Sequence, residues 1–189
     1  MANDFCVNCP TDCNDLVLPA IEVNQLCIPE LRESEVCGIY FLPAGATGPA
    51  DWTQAADWTA VIDNTDVLNA NVKYLVVEGD VPEPEFSTQR VSRGRSVDGI
   101  KTYTLNATIK ATTDLHYLFI KALQCGNADF KIWYETLGGR LFGGQNGIEL
   151  TLVRASAPLD RGADGFERFE IVLQYRAYCE PERIENPNA

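Results

Sequence analysis

Within Gly99-Ile-Lys-Thr-Tyr-Thr-Leu-Asn-Ala-Thr-Ile-Lys-Ala111, apolar and polar residues alternate from Thr102 to Lys110. Tyr103, Leu105, Ala107 and Ile109 fall on one side, and Thr102, Thr104, Asn106, Thr108 and Lys110 on the other. Successive side chains of an extended chain point to opposite faces, so the stretch reads as a strand. One apolar and one polar face predict an antiparallel sheet, buried on one side and wet on the other. Phe166–Cys179 repeats the pattern through Phe169, Ile171, Leu173, Tyr175 and Ala177. Each stretch predicts a strand with one buried and one wet face.

Upstream, Phe86–Arg95 predicts the other arm of a hairpin, with Val97-Asp98-Gly99 at its turn. Further strands are expected at 36–42, 60–64, 73–80, 130–136, 140–142 and 148–155, rich in β-branched and aromatic residues. Thr112-Thr-Asp-Leu-His-Tyr-Leu-Phe-Ile-Lys-Ala-Leu-Gln-Cys-Gly126 predicts the one strong helix, over 113–125. Thr112 or Thr113 is suited to cap its start and Gly126 to end it. Leu115, Leu118, Phe119, Ala122 and Leu123 form its expected core stripe. Asp51–Trp58 is a candidate for a second, short helix.

The expected fold is mainly β with one α-helix, an antiparallel β-sandwich or partly closed barrel with a flanking helix. The core domain spans 36–179. Residues 1–35 and 180–189 are proline-broken and lack a period, so they read as extended N- and C-terminal arms that other subunits order.

Fifteen basic residues stand against twenty-seven acidic ones. Residues 1–89 hold two basic side chains, Arg32 and Lys73, against fifteen acidic ones. Such a charge argues against nucleic-acid binding over most of the surface. Arg90, Arg93, Arg95 and Lys101 cluster on the hairpin with Asp98 the one acid among them. They are the candidate subunit interface, a basic plug for an acidic socket. A charged hairpin that merely keeps an edge soluble is the plainer reading.

Five of seven cysteines, Cys6, Cys9, Cys13, Cys27 and Cys37, precede residue 38. Cys6, Cys9 and Cys13 are weak candidates for a metal, because a structural zinc site takes four ligands and the second close pair is missing. Free or buried thiols of a chain folded in a reducing cytosol are the preferred reading, and no cofactor is expected. The start, Met1-Ala-Asn-Asp-Phe-Cys, lacks the blocks of a secretory signal, and no apolar run suits a membrane span.

No catalytic pattern emerges, and the chain is read as a non-enzyme. The one histidine, His116, sits on the helix, so a nucleophile–histidine pair has no other base to use. The glycines of Leu137-Gly-Gly-Arg-Leu-Phe-Gly-Gly-Gln-Asn-Gly147 lack the Lys-Ser/Thr ending of a phosphate loop and read as turns and bulges. Asp57, Asp63, Asp66 and Asp80 fit no calcium-loop spacing.

The order of arm, strands, long hairpin, helix, strands and polar tail resembles the tail tube proteins of bacteriophages and the tubes of contractile injection systems. Ile132-Trp-Tyr-Glu-Thr-Leu-Gly-Gly-Arg-Leu-Phe-Gly-Gly144 and Cys179-Glu-Pro-Glu-Arg-Ile-Glu-Asn-Pro187 share the look of phage virion proteins. The resemblance is architectural and covers about residues 36–180. It implies hexameric rings, stacked by arms and loops around a channel for DNA ejection. The implied partners are copies of the chain and other virion proteins, without sequence-specific nucleic-acid or membrane binding. The implied location is the virion, assembled in the host cytoplasm. The cysteine-rich arm departs from that pattern. Another virion part (a capsid decoration, head fibre or neck protein) and a metal-stabilised binding module are the alternatives.

Overall fold

The structure is a computed structural model that describes residues 33–65, 70–92, 95–110, 113–125, 129–158 and 167–188, with side chains described outside 87–98. It is mainly antiparallel β. In chain order the elements are β1 (Val36–Leu42), α1 (Ala55–Val61), β2 (Lys73–Asp80), β3 (Glu85–Ser92), β4 (Arg95–Ile109) and α2 (Asp114–Cys125). Then follow β5 (Lys131–Thr136), β6 (Arg140–Phe142), β7 (Ile148–Glu149), β8 (Leu152–Ser156), β9 (Phe169–Ala177) and β10 (Arg183–Glu185). All ten strands join one open sheet in the order β10-β6-β5-β1-β2-β4-β9-β8, with β3 on β4 and β7 on β5 beside this path.

The two alternating stretches pair with each other, a partnership their separate patterns did not name. Tyr103 faces Tyr175, Leu105 faces Leu173, Ala107 faces Ile171 and Ile109 faces Phe169. All eight are buried, and Tyr103 stacks on Tyr175 with ring centroids 4.9 Å apart. Aromatic and aliphatic cross-strand pairs of this kind stabilise a sheet by roughly 0.2–1 kcal/mol each. Thr102, Thr104, Asn106 and Thr108 are half-exposed on the opposite face.

At the other half of the sheet both faces are covered, which is why β1 and β5 read as continuous apolar runs and not as alternations. Ile39, Phe41 and Ile132 enter the main core with β4, β9 and α2. Tyr40, Leu42 and Trp133 enter a second core with Trp58 of α1. Trp58 is fully buried and meets Trp133 edge-on at 5.2 Å.

Several expectations are corrected. Two helices, not one, occur among the described residues. α1 starts at Ala55, and its last turn occupies part of the strand expected at 60–64. The strand expected at 148–155 is split, because Leu150 and Thr151 separate β7 from β8. The hairpin closes between Ser92 and Arg95, so Val97-Asp98-Gly99 lies inside β4. The longer hairpin adds the pairs Thr88↔Asp98, Gln89↔Val97 and Arg90↔Ser96, each with its own ladder contact.

The core face of α2 is also displaced. Ile120 and Leu123 are buried and Phe119 packs beside them. Leu115 and Leu118, expected in the core, are 78% and 59% exposed, and Ala122 is exposed too. The Phe119 ring meets Phe41 edge-on at 5.4 Å. Thr113 does cap the start, accepting the His116 amide at 3.4 Å. The end of the helix near Gly126 lies outside the described residues.

The C-terminal tail, expected as an exposed arm, returns to the sheet instead. Its strand β10 pairs with β6, Glu185 facing Arg140 and Arg183 facing Phe142.

Candidate functional site

Among the described residues β3 pairs with β4 alone. β4 meets β9 only from Lys101 onward. The residues from Arg95 to Ile100 therefore have a single neighbour strand, and β3 with this part of β4 makes a two-stranded ribbon. At about 3.4 Å per residue its free part is roughly 20 Å long. Two-stranded ribbons are marginal by themselves in water, so this one gains from a partner surface.

The backbone places Arg90 opposite Ser96, near the closed end, and Arg95 at the first position of β4. Lys101 sits at the root, paired with Phe86 and with Ala177, and is half-buried. The four expected interface residues therefore do not form one cluster. Arg90 and Arg95 belong to the tip and Lys101 to the root, while Arg93 lies outside the described residues. Phe86 and Ile100 at the root are 52% and 43% exposed, which gives the ribbon's base an apolar surface.

A second constellation escaped the sequence reading. Glu135 of β5 is a buried carboxylate, 7% exposed. Its Oε2 accepts from the Tyr40 hydroxyl at 2.8 Å and the Asn186 amide at 2.5 Å. Its Oε1 accepts from the Tyr74 hydroxyl at 2.5 Å and, more weakly, the Cys37 thiol at 3.9 Å. β1 and β2 bring Tyr40 and Tyr74 side by side, and Gly38 stands opposite Glu135 in the register. A Cβ on Gly38 would fall 2.5 Å from Glu135 Oε1 and 2.7 Å from Tyr74 Oη. Glycine is therefore what lets the carboxylate reach the tyrosines.

Burial, and then the Glu135 charge, raise the pKa of Tyr40 well above the usual phenol range. Burial and the hydrogen bond to Glu135 do the same to Tyr74. Both hydroxyls stay protonated and donate. The Cys37 thiol is likewise raised, by burial first and Glu135 second, which makes it a poor nucleophile. A carboxylate has about four lone-pair positions, and four donors converge on this one. The node thus works as a fastener. Asn186 belongs to the tail, and its own amide also donates to Gly139 O at 2.9 Å. A cleft of about 730 Å³ opens beside it, between Thr59, Tyr74, Leu137 and Asn188. The signal that could have exposed the node is Glu135 itself, an acid inside the apolar run Ile132-Trp-Tyr-Glu.

The glycine-rich segment wraps a tryptophan. Trp133 Nε1 donates to Gly144 O at 2.7 Å. Gly143 and Gly147, at φ +145° and +72°, lie against the indole ring, where a Cβ on either would overlap it. These glycines serve packing.

His116 bonds the Thr113 hydroxyl through Nδ1 at 2.8 Å, at the exposed start of α2. Cys37 and Cys125 are free thiols, and Cys179 is disulfide-bonded. That bond departs from the expectation of reduced thiols. Cys6, Cys9 and Cys13 lie outside the described residues, and no group of metal-ligating side chains occurs among the described ones. No helix among the described residues is long and apolar enough to cross a membrane.

No family model matches the chain, and neither a curated protein nor a solved structure matches it.

Proposed function

We propose that this chain is a structural subunit of a phage virion, a tail tube protein whose copies form stacked hexameric rings around a DNA channel. The observation that carries the reading is the ribbon of β3 and β4. It is a long two-stranded finger with basic residues at its tip, on a chain that is otherwise strongly acidic. A finger of this kind is useful to a protein that binds copies of itself, because a heterologous contact repeats into rings or filaments.

The open sheet supports the same reading. Among the described residues its end strands β8 and β10 have no further partner strand, and exposed edges are paired or guarded in functioning proteins. In the assembled ring, the two halves of the sheet act as a sandwich or partly closed barrel, with neighbouring copies covering the edges. The partners are further copies and other virion proteins, and the place of assembly is the host cytoplasm.

Negative-stain electron microscopy of the purified chain tests the reading. Rings of uniform diameter or long hollow tubes are expected. Particles that stay monomeric at all concentrations would sink it. Discrete non-tubular oligomers would favour a decoration, fibre or neck protein instead.

A further inference from the structure

We propose that the cleft beside Glu135 is a binding site for a primary alkylammonium group, carried by a small amine or by a lysine side chain. The site stands on the geometry of the Glu135 node and not on the assembly role argued above.

Glu135 is 7% exposed, and the groups that bond it, Tyr40, Tyr74, Asn186 and Cys37, are all neutral. Buried charges are normally paired with an opposite charge or a metal. Among the described residues the chain supplies Glu135 with no counter-charge, and no lysine or arginine lines the cleft. Glu135, Tyr74 and Cys37 all form part of its wall. The volume of about 730 Å³ falls within the range of roughly 300–1,000 Å³ that takes small ligands.

The two carboxylate oxygens are not equally served. Oε2 accepts two short bonds, from Tyr40 at 2.8 Å and Asn186 at 2.5 Å. Oε1 accepts one, from Tyr74 at 2.5 Å, while the Cys37 thiol stands off at 3.9 Å. A thiol is a weak donor, so an N–H donor displaces it readily. The Tyr74 hydroxyl donates its one proton to Oε1 and keeps an oxygen lone pair beside it. An ammonium has three donors and no acceptor, which suits two adjacent oxygens that have lone pairs to offer. A guanidinium is a planar fork that prefers both oxygens of a carboxylate, and here Oε2 is already taken. A metal ion takes several ligands, and no group of three metal-ligating side chains occurs among the described residues.

Much of the remaining wall is apolar and suits an alkyl stem. Ala55 opens α1 and Ile62 closes it, Leu137 follows β5, and Pro187 comes from the tail. Ala55 and Leu137 are exposed, and Ile62 and Pro187 are half-exposed, so the cleft is open to solvent on this side. A chain of methylenes lies along such a wall while its charged head reaches the polar end, the arrangement that a lysine side chain adopts on apolar surface.

Equilibrium dialysis of radiolabelled n-butylammonium against the full chain tests the site, with butan-1-ol as the neutral probe of equal length. One saturable ammonium per chain is expected. The alcohol should bind about tenfold more weakly or worse, because a hydrogen bond to a charged donor is roughly twice as strong as a neutral one. Bound ammonium should also slow iodoacetamide labelling of Cys37 and leave the exposed Cys125 unchanged. Two variants are compared, with thermal melts as a check on folding. Glu135→Gln removes the charge, and Thr59→Phe narrows the cleft from an exposed position on α1. Each should weaken ammonium binding by about tenfold or more. If Glu135→Gln does not fold, Thr59→Phe carries the comparison. No saturable binding, equal uptake of amine and alcohol, or wild-type binding by folded Thr59→Phe would each overturn the site. Sedimentation velocity with saturating butylammonium then reads the source of the amine. Reduced self-association assigns the cleft to a lysine of a neighbouring copy, and unchanged self-association assigns it to a free amine.

Discussion

Glu135 shows how much one side chain can organise. Its carboxylate gathers Tyr40 from β1, Tyr74 from β2 and Asn186 from the tail. Glu135→Ala removes the shared acceptor and leaves the buried Tyr40 hydroxyl, with the half-buried Tyr74 and Asn186, without it. An unsatisfied buried group costs about 1–3 kcal/mol, so a loss of about 2–5 kcal/mol is expected from chemical denaturation. The tail should also loosen, giving faster trypsin cleavage after Arg183 in the folded variant. Unchanged cleavage would mean that β10 pairing alone holds the tail. Gly143→Ala tests the tryptophan cradle. It places a methyl group against Trp133 at φ +145°. Overpacking costs typically 1–3 kcal/mol and a positive φ adds strain, so a loss of about 2 kcal/mol or more should appear in the same assay. The two free thiols should differ as well. Cys125 is exposed, whereas Cys37 is half-buried with a raised pKa. Mass-mapped alkylation at neutral pH should label Cys125 well before Cys37. Of these residues, the glycines were legible in the sequence as turn and bulge positions, while their packing on Trp133 was not. The Glu135 node was not, because its partners lie 51 to 98 positions away and meet only through strand pairing.

At the scale of elements, α2 separates what periodicity can and cannot tell. Leu115, Tyr117, Leu118, Phe119, Ile120, Ala122 and Leu123 nearly encircle the helix. A helix existed on that evidence, and its cap at Thr113 followed from local chemistry. Which hundred degrees would be buried depended on the sheet beneath. Ile120→Ala or Leu123→Ala should each cost about 2–5 kcal/mol, from lost burial and the cavity left behind. Leu115→Ala and Leu118→Ala, at exposed positions, should stay within about 0.5 kcal/mol. Denaturation midpoints of the four variants decide the matter, and equal losses at all four would return Leu118 to the core. The hairpin carries the same lesson. Val97-Asp98-Gly99 offered a tight turn, yet the ladder that gained more cross-strand pairs prevailed.

For the whole molecule, the ribbon stands apart from the sheet's stability. Among the described residues, 88–99 pair only within the ribbon. Replacing them with a short glycine-containing turn should leave the melting transition near that of the intact chain while abolishing higher-order species in sedimentation. A large fall in melting temperature would show the ribbon to be part of the fold. The sequence by itself determined that the protein is mainly antiparallel β, that β4 and β9 each alternate with one apolar face, and that positive charge gathers on one hairpin. Each of these depends on the identity of neighbours a few residues apart, which fixes strand periodicity and local charge. The tertiary structure alone decided the order of strands in the sheet, the buried face of α2, the return of the tail as β10 and the convergence on Glu135. Those depend on contacts between residues distant in the chain, and local pattern does not specify which distant partners will meet.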